Sequence, residues 1–428
     1  MPHTPVPFQR PRRSTAAGII GNVLEWYDFA IFAFLAPVIG ARFFSPGDPV
    51  ASLLQVFAVF AVGYLVRPLG GALFGHVGAR YGRRPALIGS VVLMAVSTTL
   101  LGLLPTHAAI GLWAPVFLVT VRLLQGLSVG GELIGSIVWL AELAPARRRG
   151  LFTSWATLSA TAGMLLGSGV GTLLQATLSH SEIAAFGWRL PFLAGAVLGG
   201  VAFWLRRGLE ESPAFIVARV AAVLDKHPVR AALRQQPWAI AHLCTLLPLF
   251  AGGFYMLFVW MPTYLGRLVV PPVENSLLMN TVAMAVLIAL IPLGGLASDH
   301  LGRRRVLLAT SVAFLLLAVP LFLLLNSGEP FLILGALLAA AVLMAFLQGT
   351  IPATMVELFP GHIRSSAAGL GYNLAVGVIG GTTPLLCTWL IERSGSMLAP
   401  AFYLMLLSAV SAVAASRLDR VGLMPRQR

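Results

Sequence analysis

Hydrophobic residues occur in long runs along the chain, and short polar stretches separate the runs. Six runs come first, near 16–40, 52–74, 86–104, 114–143, 152–177 and 190–205. After a polar stretch at 206–236, six more follow, near 238–262, 276–298, 306–325, 331–356, 366–390 and 398–416. About 20 apolar residues in a helix are enough to cross a hydrocarbon core of about 30 Å. The pattern therefore predicts twelve transmembrane helices, arranged as six plus six.

The composition agrees, because 58% of the residues are hydrophobic, 10% are charged and the mean hydropathy is +0.87. We therefore expect an all-α polytopic membrane protein. Its predicted parts are an N-terminal six-helix bundle at 1–205, a cytoplasmic linker at 206–236 and a C-terminal six-helix bundle at 237–428.

The 29 Lys and Arg residues sort by loop. Most lie before the first run, in alternate loops, in the central linker and in the C-terminal tail. Because positively charged loops favour the cytoplasmic side of a membrane, both termini are predicted to be cytoplasmic. The first run is too long for a signal peptide and lacks a small-residue cleavage site, so we expect it to remain as a helix.

The net charge of +14 does not indicate nucleic-acid binding, because the arginines are scattered over short loops and form no single basic face. The lipid bilayer, with its anionic inner leaflet, is the partner that the charge favours. Cys244 and Cys387 both lie inside runs and support neither a disulfide framework nor a thiol metal site. The sequence shows no phosphate-binding Gly-Lys-Ser/Thr loop and no metal-spaced cluster, so we expect no cofactor, no metal and no enzyme activity.

Two loops of the first half are repeated in the second. GHVGARYGRRPAL, from Gly75, matches GLASDHLGRRRVL, from Gly295, and ELAPARRR, from Glu142, matches ELFPGHIR, from Glu357, at nearly the same separation. Repeated halves around a midplane site are typical of secondary transporters. The candidate residues of a cytoplasmic gate in these loops are Gly75, Arg80, Gly82, Arg83, Arg84, Glu142, Arg149, Gly295, Asp299, Gly302, Arg303, Arg304, Glu357 and Arg364.

Charged residues fall inside the runs of the first half, at Glu25, Asp28, Arg67, Arg122 and Glu132. A charge at mid-bilayer costs at least about 2.5–3.5 kcal/mol, so such residues face a bundle interior or an aqueous cavity. Counting along the helices places Glu25, Asp28 and Arg122 at similar depth, where they can meet. It also predicts a buried pair between Arg67 and Glu132.

The three buried acids, Asp28, Glu25 and Glu132, are candidates for proton coupling, because repulsion and burial favour the protonated form of at least one. The alternative is that they only hold arginines or cap polar neighbours. Arg122 has a planar fork suited to a carboxylate and is a candidate solute anchor, with Gln125 one turn away. Its alternative role is a permanent salt bridge.

The second half has no Asp, Glu, Lys or Arg in the middle of any run. It offers polar and aromatic candidates for solute binding instead, at Tyr255, Trp260, Gln348 and Asn373. For each, an interhelical hydrogen bond or an aromatic anchor at the membrane interface is the competing interpretation.

The repeated loop pattern G-x-x-x-D-R-x-G-R-R resembles the signature of the major facilitator superfamily. EWYDF, YLVRPLGG, RLLQGLSVGGE and GWRLPF resemble, more narrowly, the metabolite–proton symporters of that superfamily, which include citrate, 2-oxoglutarate, shikimate and proline/betaine transporters. SHSEIAAFGWRLPF is most similar to the citrate and tricarballylate members, whereas GSGVG and YNLAVG are as similar to the proline/betaine ones. The resemblance implies two pseudo-symmetric six-helix bundles and a central path lined by helices 1, 4, 7 and 10.

The chain departs from the loop pattern once in each half. Ala79 stands where the family has Asp, and His300 stands for Arg beside Asp299. In the family that Asp faces a helix N-terminus, a favourable place for negative charge. Ala79 is therefore expected either to weaken the gate in the first half or to be tolerated there.

Together these features predict a bacterial inner-membrane symporter that works as a monomer. It would import a small carboxylate-bearing metabolite with protons by alternating access, and a tri- or dicarboxylate is favoured. One alternative is a proline/betaine-type osmolyte–proton symporter, whose zwitterionic ligand would use aromatic groups through cation–π contact. The other is a sensor built on a transporter fold that moves no solute.

Overall fold

The computed structural model describes residues 11–45, 47–81, 83–129, 131–207, 228–361 and 363–420, and this part of the chain is helical and contains no strand. The spans of the first half are α1 (Pro11–Phe34 and Ala36–Phe43), α2 (Pro49–Leu65 and Arg67–Tyr81), α3 (Arg83–Leu103), α4 (Trp113–Ser128 and Glu132–Leu143), α5 (Arg149–Thr177) and α6 (Leu190–Arg207). Those of the second half are α7 (Pro237–Leu268), α8 (Ser276–Leu301), α9 (Arg303–Leu325), α10 (Pro330–Glu357), α11 (Arg364–Ser394) and α12 (Ala399–Ser416). Short helices at His107–Ile110, His180–Ala185 and Pro228–Gln235 lie outside the spans.

Each of the twelve apolar runs coincides with one of these spans, with ends that differ by a few residues. Ten of the described helices are long and apolar enough to cross a membrane alone, and α1 joins them if its bent pair is counted as one span. The predicted division at 205 and 236 remains a prediction, because residues 208–227 lie outside the described residues.

Three spans of the first half are interrupted where the sequence disfavours a regular helix. α1 bends by 65° at Leu35, just before Pro37 in the first turn of Ala36–Phe43. α2 breaks at Val66, where Pro68 has no backbone N–H to bond the preceding turn. α4 breaks before Glu132, next to Gly131. Of the predicted mid-membrane charges, Arg67 and Glu132 lie directly after two of these breaks.

α7 is the most buried of the spans that could cross a membrane alone, and it contains three π-helical stretches, Leu249–Gly253, Tyr255–Trp260 and Tyr264–Leu268. A fourth lies in α11, at Val376–Gly380. π-Helical turns widen the helix locally and often occur at functional sites. Their placement here marks the side of the second half that faces the first.

The halves meet chiefly where α5 packs against α8 and α10 and where α2 packs against α11. Glycines permit the close approach of α11 to α2, because a Cβ on Gly377 would lie 2.9 Å from the Tyr64 carbonyl oxygen and one on Gly381 would clash with the Tyr64 side chain. In the first half, a Cβ on Gly126 would clash with the backbone of Gly63, so this glycine packs α4 against α2.

Candidate functional site

Glu25 and Arg67 form a buried ion pair in the first half. Their side chains approach to 3.3 Å, between Nη2 and Oε1, and Glu25 and Arg67 are 6% and 1% exposed. The prediction that Arg67 pairs with Glu132 is therefore wrong. The break at Val66 starts a new helix at Arg67, so counting along a straight α2 misplaced it, and Glu132 instead accepts a hydrogen bond from Ser90.

Asp28 and Arg122 meet through a side-chain amide. Arg122 Nη1 donates to Gln125 Oε1 at 2.8 Å, and Gln125 Nε2 donates to Asp28 Oδ2 at 2.5 Å and to Thr98 Oγ1 at 3.2 Å. All of these groups are buried. The predicted meeting of the charges of α1 and α4 is thus indirect, and Gln125 connects them.

Arg122 is enclosed by aromatic rings. Its guanidinium carbon lies 4.1–5.7 Å from the ring centres of Phe29, Phe32 and Phe60. Nε and Nη2 have no hydrogen-bond partner, and the residue is fully buried. Cation–π contact stabilises a desolvated guanidinium in such a place. Arg122 therefore belongs to the Asp28 network inside the first half.

A cavity of about 40 Å³ lies within the first half and is lined by acids. Its walls come from α1, α3, α4 and α6 and include Glu25, Asp28 and Glu132, with Ser90 and Ser128 beside them. We call it the acid-lined cavity. Asp28 Oδ1 is buried and has no hydrogen-bond partner. A cavity of this size has room for about two or three waters beside the acids.

A second cavity, of about 20 Å³, lies between the halves and is lined by aromatic rings. We call it the central cavity; α1, α4, α5, α7, α10 and α11 form it, and so helices 1, 4, 7 and 10 all contribute, as the resemblance implied. Its lining residues are Trp26, Leu133, Thr157, Ala160, Thr161, Met164, Phe250, Ala251, Phe254, Tyr255, Gln348, Tyr372 and Val376. None of them is charged.

Two of the predicted solute-binding residues, Tyr255 and Gln348, line the central cavity. Trp260 instead donates to Thr388, and Asn373 donates to the Gly369 carbonyl; neither lines the two cavities described here. Arg122 and Gln125 are also absent from both linings.

The structure adds residues that sequence reasoning missed, above all Trp26, Phe250, Phe254 and Tyr372. Trp26 stands inside the EWYDF stretch between the two acids, and Tyr372 directly precedes Asn373. Successive side chains on a helix point about 100° apart, so the neighbouring acids and Asn373, which the sequence singled out, lie on different faces from Trp26 and Tyr372.

The loops that carry the repeated arginines close one end of the molecule, which we call the basic end. Asp299 accepts hydrogen bonds from the backbone N–H groups of Gly150 and Leu151 at 2.8 and 2.9 Å, and so holds the N-terminus of α5. Arg303 bridges Asp299, at 2.8 Å, and Glu357, at 3.2 Å. An acid at a helix N-terminus is electrostatically favourable, and this contact links the two halves.

The other predicted gate residues have more local roles. Arg84 donates to the Arg207 carbonyl, and Arg364 donates to the Phe359 carbonyl. Gly302 has a φ of +93°, which favours glycine, at the turn between α8 and α9. Gly82 lies outside the described residues, as do the side chains of Arg80 and Arg83.

The halves also touch at the opposite end and at mid-depth. Thr281 of α8 shares hydrogen bonds with Ser168 and Thr172 of α5, at 2.7 and 3.0 Å. Deeper in the molecule, the Tyr255 hydroxyl donates to the Tyr64 hydroxyl at 2.7 Å. In the described residues, the halves are therefore in contact at both ends and at mid-depth beside the central cavity.

Comparison with known proteins places this arrangement among transporters. A family model described as Major Facilitator Superfamily matches residues 18–384. A relative named proline/betaine transporter, from Salmonella typhimurium, is 36% identical over 416 residues, covering 94% of this chain and 82% of the relative. The glycine betaine/proline/ectoine/pipecolic acid transporter OusA of Dickeya dadantii is 37% identical over 414 residues, with the same coverage.

Solved structures share the fold. The xylose transporter XylE from E. coli, in a partially occluded inward-open conformation, superposes with a TM-score of 0.75 at 18% identity, covering 95% of this chain and 97% of that one. The human organic anion transporter MFSD10 gives 0.65 at 17% identity, covering 96% and 100%. At this identity the likeness concerns the fold alone.

Proposed function

Because the chain belongs to the Major Facilitator Superfamily and is a secondary transporter rather than an enzyme, we propose that it takes up a zwitterionic osmolyte of the proline or betaine type together with protons. This solute class replaces the tri- or dicarboxylate that the sequence favoured. The relatives that share more than a third of their residues with this chain are named for proline and betaine, and they support the osmolyte alternative.

The observation that carries the proposal is the chemistry of the central cavity. Its aromatic lining offers a quaternary or secondary ammonium several ring faces, among them those of Trp26, Phe254 and Tyr255. A desolvated cation–π contact contributes about 2 kcal/mol. A tricarboxylate would instead bring up to three negative charges into a lining without a cation, and burying charge without partners is strongly unfavourable.

Proton coupling is assigned to the acids of the first half, with Asp28 at the centre. Asp28 faces the acid-lined cavity and is joined to Arg122 through Gln125. A proton on Asp28 would remove the charge that this hydrogen-bonded chain stabilises and so change how α1 packs on α4. Because α1 also contributes Trp26 to the central cavity, the proton and the solute would act on the same helix.

In this scheme the protein alternates between two states, each open at one end. Solute and proton binding together favour closure, and release at the other end resets the carrier. The latch at Asp299 would be the closed gate of the basic end. We place that end, and both termini, in the cytoplasm, on the strength of the basic loops.

The test is uptake into proteoliposomes of labelled glycine betaine, proline, citrate and tricarballylate, with and without an inward proton gradient. Gradient-dependent accumulation of betaine or proline, without citrate, is the expected result. Accumulation of citrate or tricarballylate would overturn the solute class while keeping the fold. If no solute moves under either condition, the result would favour the sensor alternative over a transport function.

A further inference from the structure

Arg67 has more hydrogen-bonding capacity than its surroundings use. The residue is 1% exposed, yet Nε and Nη1 have no hydrogen-bond partner, and Nη2 alone contacts the Glu25 carboxylate at 3.3 Å. A guanidinium presents five N–H donors in a planar fork that matches a carboxylate with two parallel bonds. The single bond at 3.3 Å is long for a charge-assisted contact, so the fork is only partly engaged.

The position of Arg67 relates it to the central cavity. Its guanidinium carbon lies 5.2 Å from the ring centre of Trp26, which lines that cavity, and 5.1 Å from the ring centre of Tyr64. Tyr64 in turn bonds Tyr255, another lining residue. Arg122 differs, because neither it nor any of the three phenylalanine rings around it lines the central cavity.

Glu25 stands between the two cavities. It lines the acid-lined cavity and at the same time holds Arg67 beside the central one. A proton that arrives through the acid-lined cavity can therefore reach the same carboxylate that occupies the arginine.

We propose that Arg67 binds the carboxylate of the solute, and that Glu25 competes with this carboxylate for Arg67 until a proton neutralises Glu25. The inference rests on the proposed function, because it supposes a solute with one carboxylate and one ammonium. The ammonium would lie among the rings of the central cavity, and the carboxylate would take the fork of Arg67. The solute site predicted at Arg122 thereby moves to Arg67.

Charge balance explains why the exchange couples proton and solute. With Glu25 ionised, a second carboxylate at Arg67 would place two buried negative charges beside one arginine, and their mutual repulsion is costly in a medium of low dielectric constant. When a proton binds a Glu25 carboxylate oxygen, the arginine and the solute carboxylate form a neutral pair. Each ligand then favours the other, as reciprocal linkage requires.

Several other groups surround Glu25 and bear on its protonation. They are Tyr27 and Asp28 on α1, Tyr64 and Arg67 on α2, Glu132 on α4 and Tyr372 on α11. Asp28 is a neighbouring acid that can also titrate, and the variant Glu25→Gln separates its titration from that of Glu25.

The test measures equilibrium binding of glycine betaine and of choline, which lacks the carboxylate, to the purified full-length protein between pH 5.5 and 8.5. In the wild type, betaine binding should weaken as the pH rises, by up to tenfold per pH unit, while choline binding stays flat. In Glu25→Gln, betaine should bind at high pH as tightly as wild type does at low pH. Glu392→Gln, an exposed acid at the end of α11, is the matched control and should behave as wild type.

The anchor role of Arg67 needs a second experiment, because Arg67→Gln alone breaks the buried ion pair with Glu25 and disturbs the fold as well as the solute site. The double variant Glu25→Gln/Arg67→Gln removes both charges and should lose at least tenfold in betaine affinity relative to Glu25→Gln, with choline affinity unchanged. Equal losses for both ligands would show a structural role and overturn the inference.

The outcomes also separate this inference from the proposed function. Persistence of the full pH dependence in Glu25→Gln would assign it to Asp28 and overturn the exchange, while betaine transport stands. If the wild type binds neither betaine nor proline at any pH, the proposed solute class fails and the inference falls with it.

Discussion

The two halves share a repeated loop and a six-helix plan, but they divide the chemistry between them. In the first half, Glu25, Asp28, Arg67 and Arg122 are all at least nine-tenths buried within spans. In the second half, the acids and bases stand at span ends, and the middle of α7 and α10 presents rings and amides to the central cavity. Under the proposed function, the acids of the first half bind the proton, and the rings between the halves bind the ammonium group of the solute.

The gates repeat the same asymmetry. Asp299 in the second half accepts hydrogen bonds from two backbone N–H groups at the N-terminus of α5 in the first half. Arg303 forms an ion pair with the same carboxylate. The aligned position in the first half is Ala79, which has no carboxylate to offer. In the part of the chain that the structure describes, Asp299 therefore joins the halves at the basic end, and the repeat offers no second carboxylate at Ala79.

The largest effect is expected from Asp28→Asn, which removes the titratable group and keeps the shape of the hydrogen-bonded chain to Gln125. Gradient-driven accumulation of betaine should be abolished, because the proposed coupling needs a titratable group at Asp28 as well as at Glu25. Exchange of labelled against unlabelled betaine should remain, since it needs no net proton movement.

The matched control for Asp28→Asn is Asp48→Asn, at the exposed N-cap before Pro49, where either side chain caps the helix. It should accumulate betaine as wild type does. If Asp28→Asn also accumulates betaine against its gradient, Asp28 has a structural role only and does not couple the proton to transport.

A smaller effect is expected from Asp299→Asn at the latch. Loss of the charge weakens two backbone hydrogen bonds and the pair with Arg303, which should destabilise the closed basic end by about 2 kcal/mol, or close to thirtyfold. Distances between spin labels at Ala146 and Leu301 would report the shift toward the open state. Asp419→Asn removes an exposed partner of Arg304 instead and should leave the distances unchanged.

The aromatic half can be probed with Phe254→Leu, which removes one ring from the central cavity. Betaine affinity should fall by about 1 kcal/mol, roughly fivefold, through the lost cation–π contact. Phe314→Leu removes a buried ring of α9 away from the cavity and controls for lost packing. An equal loss of affinity in both variants would place the ammonium elsewhere.

The smallest effect is expected from Ala79→Asp, which restores the acid that the loop repeat predicts. A charge near a helix N-terminus contributes about 0.3–1 kcal/mol. The double variant Ala79→Asp/Asp299→Asn should therefore populate the open state less than Asp299→Asn does, as measured by the same spin-label distances. No reversal would mean that the position tolerates Ala without a gating consequence.

The sequence was sufficient for the spans because each is long and apolar, and for the buried charges because they are rare in such spans. It was insufficient for their pairing. Helix breaks at Val66 and before Glu132 change the register of everything beyond them, so depth counted at 1.5 Å per residue assigned Arg67 to Glu132 instead of Glu25.

A related reason explains why the sequence favoured a carboxylate, whereas the relatives support the osmolyte alternative. The stretch SHSEIAAFGWRLPF, which resembled citrate carriers, has mainly structural contacts. Ser179 and Glu182 form a capping box, and hydrogen bonds from Ser179 lower the pKa of the Glu182 carboxyl. Arg189 donates to the carbonyls of Gly102 and Leu104. YNLAVG, by contrast, places Tyr372 in the central cavity and Gly377 against α2, and this stretch resembled the proline/betaine carriers.

The most direct test of the division between the halves is to impose an inward betaine gradient on wild-type proteoliposomes without a pH gradient, and to follow the internal pH with a trapped dye. The account predicts that betaine entry acidifies the interior, and that Asp28→Asn lets betaine exchange without acidification. Betaine entry into wild-type vesicles at constant internal pH would contradict it.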